Sequence, residues 1–185
     1  MSPLTVAAIV GVVVLGWVIV SFNRFVSQRN LIANSWSNVE TELRRRYDLI
    51  PNLVETVRGY ASHEQDTLTA VIEARQGAIG AHGDAAEQGG PENILVQGLR
   101  QLMAVSEDYP DLLASGQFLE LQRELVTTED RIQAARRLFN GNVRGYNRRV
   151  ESVPSLLIAV VGRFAKANYF EIDEAVRAPR SAKTA

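Results

Sequence analysis

The chain has 185 residues, with 20 Lys and Arg side chains against 21 Asp and Glu, a net charge of -1 and no cysteine. This balance gives no excess of positive charge for binding nucleic acid, and the lack of cysteine excludes thiolate catalysis, sulfur-ligated zinc, iron-sulfur clusters and disulfides. The averages conceal an uneven layout, because every charged side chain lies beyond residue 23.

The N-terminal segment 4–22 contains no ionisable side chain. As a helix it is about 28 Å long, close to the thickness of the hydrocarbon core of a bilayer. No Lys or Arg precedes it, and residues 21–23 make a poor cleavage site, which argues against a cleaved signal peptide. The sequence therefore predicts an uncleaved, single-pass transmembrane anchor over residues 1–23.

The flanking charges predict how this anchor is oriented. Arg24 and Arg29 follow the apolar segment directly, and three further arginines occupy positions 44–46, whereas only the amino terminus is basic on the other side. By the positive-inside rule we expect the N-terminus outside and the bulk of the chain in the cytoplasm.

A heptad pattern of mostly apolar residues runs from Phe22 to Leu53. It predicts a coiled-coil-like helix that continues from the membrane without a break, with a stripe that has no evident partner within the chain. Pro51 lies inside this stripe, so we expect either a kink or the restart of a new helix with the proline in its first turn.

The stretch 77–93 holds five glycines and Pro91, which predicts a flexible glycine-rich loop. A third helix is expected from about residue 92 to 109, where Pro110 follows. A long fourth helix is expected from an N-cap at Ser115 to just before Pro154. The polar residues 171–185 are predicted to form a flexible tail.

The fold class is therefore all-α: an N-terminal transmembrane helix continuous with an antiparallel bundle of long helices, the bundle occupying residues 24–170. The segment 155–164 is apolar nearly all round but only half as long as a membrane crossing. We interpret it as a buried helix that caps the bundle; the alternative is a helix lying at the membrane surface.

Several long motifs resemble those of the LemA family of membrane-anchored bacterial and archaeal proteins. They are RRRYDLIPNLVETVRGYASHEQDTL at 44–68, SEDYPDLLAS at 106–115, LQRELVTTEDRI at 121–132, and the pairs Phe139-Asn140 and Tyr146-Asn147. The resemblance implies an anchor in the bacterial or archaeal cell (inner) membrane, N-terminus outside, followed by a cytoplasmic bundle of long helices. It also implies a family whose biochemical role is largely undefined.

Two groups within these motifs are candidate interaction residues, the first around Pro51 and the second around Asn140 and Asn147. Tyr109 and Pro110 of the second motif are further candidates. In the first group the proline frees a backbone carbonyl that a neighbouring side chain can satisfy, so the motif either shapes a bend with a docking edge or forms a simple capped restart. In the second group the two asparagines lie one heptad apart and either fix the register of a buried seam or are exposed. The groups are Tyr47, Asp48, Pro51, Asn52 and Glu55, and Asn140, Tyr146 and Asn147.

The remaining motifs predict no catalytic, cofactor or metal site. Neither His63 nor His82 has metal-site spacing, no Lys-Ser/Thr follows the glycines, and neither a GxSxG elbow nor a kinase signature occurs. We therefore expect a non-enzymatic membrane-anchored scaffold that contacts the lipid bilayer and protein partners or further copies of itself. The alternatives are a sensor that binds a small ligand in a cavity near Tyr146 and Asn147 and signals through the anchor helix, or a membrane-remodelling scaffold that uses residues 155–164.

Overall fold

The computed structural model describes residues 2–81 and 84–172. Over these residues the chain forms helices and no strand, which confirms the all-α prediction. The helices are α1 (Pro3–Tyr60), α2 (Gln65–Gly80), α3 (Ala85–Ser106), α4 (Pro110–Leu113), α5 (Gly116–Glu151) and α6 (Ser155–Val161).

Helix α1 is continuous over 58 residues, about 87 Å at the usual helical rise. Its N-terminal part is exposed on all sides and is long and apolar enough to cross a membrane. Pro51 lies within the helix and does not end it, so the restart interpretation is wrong. The apolar segment and the bundle therefore share one uninterrupted helix.

The predicted flexible loop over 77–93 is wrong, because α2 continues to Gly80 and α3 begins at Ala85. Asp84 caps α3 by accepting hydrogen bonds from the backbone N–H groups of residues 86 and 87 at 2.9 and 3.2 Å. Gln88 and Glu92, in the first turns of α3, are buried. These tertiary contacts outweigh the low helix propensity of the glycines.

The four long helices form an antiparallel bundle in which α1 packs along α5 and α2 packs on both α3 and α1. The direction of α5 follows from two contacts, since Phe25 meets Tyr146 near one end while Arg46 meets Glu129 further along. The α1 stripe is buried within this bundle. The expectation that it has no partner within the chain is therefore wrong.

Beyond α5 the chain builds a second, smaller core and then turns back along the bundle. Ile158 and Ala159 of α6 pack with Phe25, whereas the outward face of α6 is exposed, so the interpretation of α6 as a fully buried cap is wrong. Residues 163–172, which we call the strap, run along α5 without forming a helix. Ile172 is buried in the main core, and the rest of the predicted tail, 173–185, lies outside the described residues.

Candidate functional site

A cluster of polar side chains lies inside the bundle where α1, α3 and α5 meet. Arg46 is 1% exposed and Glu92 is not exposed at all. The Arg46 guanidinium donates to the carboxylate of Glu92 and, at 2.8 Å, to that of Glu129. The Tyr47 hydroxyl donates to the other oxygen of Glu92. We call Arg46, Tyr47, Gln88, Glu92 and Glu129 the buried polar cluster.

Gln88 completes this cluster by linking it to α2. Its Nε2 donates to Glu92 at 2.9 Å and to the backbone carbonyl oxygen of Ala78 at 3.0 Å. Burial, and then the negative charge of Glu92, raises the pKa of Tyr47 well above its ordinary value. Tyr47 therefore remains a neutral hydrogen-bond donor at physiological pH.

The enclosure of the buried polar cluster decides what it can do. Its central charges are shielded from solvent, so a substrate has no access to them. Removing either member of such a pair leaves an uncompensated buried charge, whereas the intact pair adds little net stability. The arrangement therefore fixes how α1, α3 and α5 are positioned relative to one another.

Pro51 frees the carbonyl oxygen of Tyr47, which lies one helical turn earlier, because proline has no backbone N–H to donate. The Nε of Arg75 on α2 donates to this oxygen at 2.6 Å. A neighbouring side chain thus satisfies the freed carbonyl, which is one of the two interpretations that the sequence left open. The contact joins α1 and α2 beside the buried polar cluster.

The other members of the Pro51 motif face outward. Asp48, Pro51, Asn52 and Glu55 are all exposed, in contrast to Tyr47. Their spacing of three, four and seven residues from position 48 places them on one face of α1. We call these four residues the exposed edge of α1.

The two predicted asparagines hold the strap. The side-chain amide of Asn147 donates to the carbonyl oxygen of Ala167 and accepts from its N–H, both at 2.9 Å. Asn140 makes the same pair of hydrogen bonds with Phe170, both at 3.0 Å. The seven helical residues from Asn140 to Asn147 and the three extended residues from Ala167 to Phe170 each span about 10 Å. The two asparagines are therefore spaced to bind these two strap residues at the same time.

Further contacts place the strap against α5 and α3. The Tyr146 hydroxyl donates to the carbonyl oxygen of Ala165 at 2.8 Å, and Asn168 donates to Asp84 at 2.6 Å. The Asn168 hydrogen bond lowers the pKa of the Asp84 carboxyl. A Cβ at Gly89 would lie 2.3 Å from the carbonyl oxygen of Glu171, so only glycine allows α3 and the strap to approach this closely.

Tyr109 and Pro110 lie at the end of the bundle opposite the apolar segment. Pro110 begins α4, and the Tyr109 hydroxyl donates to Glu64, between α1 and α2, at 3.2 Å. The contact ties the α3–α4 corner to the α1–α2 corner. These two residues therefore lie far from Asn140 and Asn147, and the structure does not bring all ten candidates into one site.

An open cleft of about 540 Å³ lies between the strap, α1 and the start of α3. Trp36, Phe139 and Tyr146 supply apolar lining, and Arg29 and Arg163 add positive charge. A cavity near Tyr146 is what the sensor alternative predicts, although Asn147 is not part of its lining. Across residues 2–81 and 84–172, no group of His, Cys, Asp and Glu side chains could hold a metal ion.

Sequence reasoning missed Arg46, Arg75, Gln88, Gly89 and Glu92. One signal was available for Arg46, because residues 25, 32, 39 and 53, which share its position in the heptad repeat, are all apolar. A charged residue in such a position requires a buried partner. Its partner Glu92 was hidden because the glycines around it favoured a loop over a helix.

The model of the LemA family matches residues 35–182. Magnetosome protein MamQ of Magnetospirillum gryphiswaldense is 29% identical over 176 residues, which cover 80% of this chain and 64% of that protein. Magnetosome protein MamQ 2 of Paramagnetospirillum magneticum is 29% identical over 177 residues, with 81% and 64% covered. Protein LemA of Metamycoplasma hominis is 24% identical over 128 residues, with 69% and 58% covered. The chain therefore matches less than two thirds of the length of each of these relatives.

Proposed function

Because this chain belongs to the LemA family, we propose that it is a non-enzymatic, membrane-anchored helical scaffold that acts through protein contacts, including contacts with further copies of itself. The observation that carries the proposal is the continuity of α1 from the apolar segment into the bundle. A helix without a break cannot swivel as a loop does. Residues 23–60 therefore hold the far end of the bundle about 55 Å from the membrane.

The charge layout supports an orientation with the N-terminus outside and the bundle in the cytoplasm of a bacterial or archaeal cell. The end of the bundle next to the apolar segment carries exposed Arg24, Arg29 and Arg148. The opposite end carries Glu64, Glu107 and further acidic residues. The positive-inside rule and the negative surface of a cytoplasmic leaflet both favour this arrangement.

The interior of the bundle supports a role without catalysis. Catalysis needs reactive groups that a substrate can reach. Arg46 and Glu92 are instead enclosed and occupied by one another and by neighbouring side chains. Among the surfaces available to partners are the exposed edge of α1 and exposed apolar side chains on the long helices.

Self-association requires a surface other than the heptad stripe, which α5 already covers. On the long helices of the bundle, outside the apolar segment of α1, four large apolar side chains are more than half exposed, and we infer that copies of the chain meet through some of them. They are Leu31, Ile94, Val126 and Leu138. The likeness to magnetosome proteins makes the magnetosome one place where such a scaffold would act.

Cysteine crosslinking in native membranes tests this proposal, because the chain has no cysteine of its own. Four single-cysteine variants are oxidised in membranes and separated by gel electrophoresis without reductant. They are Leu31→Cys, Ile94→Cys, Val126→Cys and Leu138→Cys. We expect at least one to give a disulfide-linked dimer. Thr69→Cys, at an exposed polar position on α2, is the matched control for random collision.

Two results bear on the proposal in opposite directions. A dimer that forms at one position well above the Thr69→Cys background supports self-association. Background-level crosslinking at all four positions, together with monomer alone after amine crosslinking of the parent chain, would contradict a scaffold built on protein contacts.

The cleft favours a second candidate function, a sensor that binds a small anionic ligand. Its apolar wall includes Trp36, and its lining includes Arg29 and Arg163. In a Trp17→Phe variant, Trp36 is the remaining tryptophan and its fluorescence reports on the cleft. Saturable quenching or shift of this fluorescence with inorganic phosphate or an organic phosphate, lost in Arg29→Gln, would support the sensor. An unchanged spectrum with both probes would count against it.

A further inference from the structure

Helix α6 presents apolar side chains to the outside. Leu157, Val160 and Val161 are 64%, 70% and 85% exposed. Their spacing of three and four residues places them on one face, opposite Ile158 and Ala159, which pack into the small core. A continuous apolar face exposed to water is unfavourable and indicates contact with another apolar surface or with lipid.

The position of α6 relative to α1 identifies which of these it contacts. The ring of Phe164 stacks on Phe25 at 4.7 Å and meets Phe22 edge-on at 5.4 Å. Val18, inside the apolar segment of α1, packs against the same small core that contains Ile158. Since Val18 and Phe22 are about 6 Å apart along the helix, α6 lies level with the last turn of the apolar segment.

The charges around α6 suit the same surface. No Asp or Glu occurs between Glu151 and Glu171. Arg148 before α6, Arg163 after it and Arg24 on α1 are exposed, whereas Lys166 pairs with Glu151. An apolar helix face with exposed arginines before and after it in the chain, and on the adjoining part of α1, matches the boundary between acyl chains and anionic headgroups.

The length of α6 fixes how it meets the membrane. Seven residues form a helix of about 10 Å, which is far too short to cross a hydrocarbon core of about 30 Å. The helix can lie only at the boundary, where an apolar face is buried by about 5 to 10 Å. A position at the boundary agrees with the location of α6 beside the last turn of the apolar segment of α1.

We propose that α6 is a second membrane contact, lying in the interface of the bilayer that α1 crosses, with Leu157, Val160 and Val161 among the acyl chains and the surrounding arginines at anionic headgroups. Two contacts at different points prevent the bundle from tilting about the end of the span. This inference goes beyond the scaffold function and does not depend on any protein partner.

The test uses the full chain in vesicles of phosphatidylcholine and phosphatidylglycerol, with a polarity-sensitive fluorophore on Val161→Cys. The control is Thr69→Cys, an exposed position on α2 near the end of the bundle opposite the apolar segment. We expect nitroxide-labelled acyl chains to quench the label several-fold more at position 161 than at position 69, and aqueous iodide to quench it less. Equal quenching at both positions would overturn the proposal.

Two further arms separate lipid from a second copy of the chain and test the arginines. Diluting the protein in lipid leaves the shielding at position 161 unchanged if lipid covers α6; shielding that fades on dilution would assign the face to a second copy and overturn the proposal. Omitting phosphatidylglycerol should reduce quenching by the labelled lipid. Unchanged quenching without the anionic lipid would contradict the role of the arginines.

A charged substitution on the same face completes the test. Val160→Asp should lower lipid quenching at position 161 severalfold, because a carboxylate resists entry into the acyl region. Val126→Asp, read with the same label at 161, should leave it unchanged. Because Val160 is exposed, far-UV circular dichroism should show the fold intact. Undiminished quenching in a folded Val160→Asp variant would contradict the proposal.

Discussion

The Nε of Arg75 lies 2.6 Å from the carbonyl oxygen of Tyr47, the oxygen that proline at position 51 cannot reach with a backbone hydrogen bond. The proline therefore creates an acceptor on α1, and α2 supplies the donor. A local irregularity of one helix is in this way converted into a contact between two helices. The relationship explains why a proline is tolerated inside α1, nine residues before the helix ends.

A double-mutant cycle tests this relationship. Arg75→Met should lower the free energy of unfolding by about 1 to 3 kcal/mol in the parent chain, because it removes a charged hydrogen-bond donor from a partly buried carbonyl. In a Pro51→Ala background the new N–H satisfies the same carbonyl, so the loss should shrink by at least about 0.5 kcal/mol. Denaturant unfolding in detergent micelles, followed by circular dichroism, measures both. Strictly additive losses would show that the two residues are not coupled.

Replacing Arg46 alone should lower the free energy of unfolding more than replacing Arg46 and Glu92 together. Arg46→Met alone leaves the carboxylate of Glu92 buried without its main partner and should cost about 3 to 5 kcal/mol. Adding Glu92→Leu removes that charge and should recover most of the loss. The same unfolding measurement applies. If the double variant proves as unstable as Arg46→Met, the pair contributes more than mutual compensation of charge.

The fold was largely predictable because its elements carry strong local signals. The uncharged segment, the heptad stripe and the cap at Ser115, whose Oγ accepts from the N–H of Phe118, each act within one helix. The loop at 77–93 was predicted wrongly for the opposite reason. Glycine disfavours a helix by local entropy, whereas Gln88 and Glu92 are buried against Arg46 and Tyr47 of α1, which is distant in sequence.

The strap should loosen when its asparagines are removed. Asn147→Ala deletes two hydrogen bonds to Ala167 and should cost about 1 to 3 kcal/mol locally. Hydrogen exchange should therefore speed up at the amides of residues 165–172 more than in the centre of α5. Asn38→Ala, at an exposed position on α1, is the control and should change the exchange rates in neither segment. Uniform acceleration across the bundle would indicate that Asn147 supports the core and not the strap.

Two neighbouring glycines of α3 should respond in opposite directions to alanine. Gly89→Ala places a Cβ against the carbonyl oxygen of Glu171, so the strap must move and the chain should lose stability. At Gly90 nothing lies within 4 Å of such a Cβ. Gly90→Ala should therefore stabilise the helix by about 0.5 to 1 kcal/mol. Thermal unfolding of the two variants side by side checks the difference; equal shifts would contradict the close approach of the strap.

The site was less predictable than the fold because its contacts join distant segments. The spacing of Asn140 and Asn147 indicated a shared face, but the strap they hold has no periodicity of its own, so its partner was invisible in the sequence. Gly89 illustrates the same point. Its lack of a side chain is required by a carbonyl oxygen more than 80 residues further along the chain, while the glycine by itself favoured a loop.

The raised pKa of Tyr47 predicts an alkaline loss of stability. Unfolded tyrosine ionises near pH 10, while folded Tyr47 keeps its proton because burial and Glu92 oppose the phenolate. The contribution of Tyr47 is therefore complete below about pH 10 and declines above it, by up to about 1.4 kcal/mol per pH unit. Tyr47→Phe should flatten this decline. Unfolding free energies measured between pH 9 and 11 check it, and an identical slope in Tyr47→Phe would contradict the assignment.

The most direct test of the scaffold is its stoichiometry in the membrane. The full chain, labelled at Thr69→Cys with one fluorophore per copy, is extracted from native membranes in polymer-bounded lipid discs and bleached as single particles. A scaffold that self-associates predicts two or more bleaching steps in most particles, at expression levels no higher than the native one. Single steps in nearly all particles, with no other protein in the discs, would contradict it.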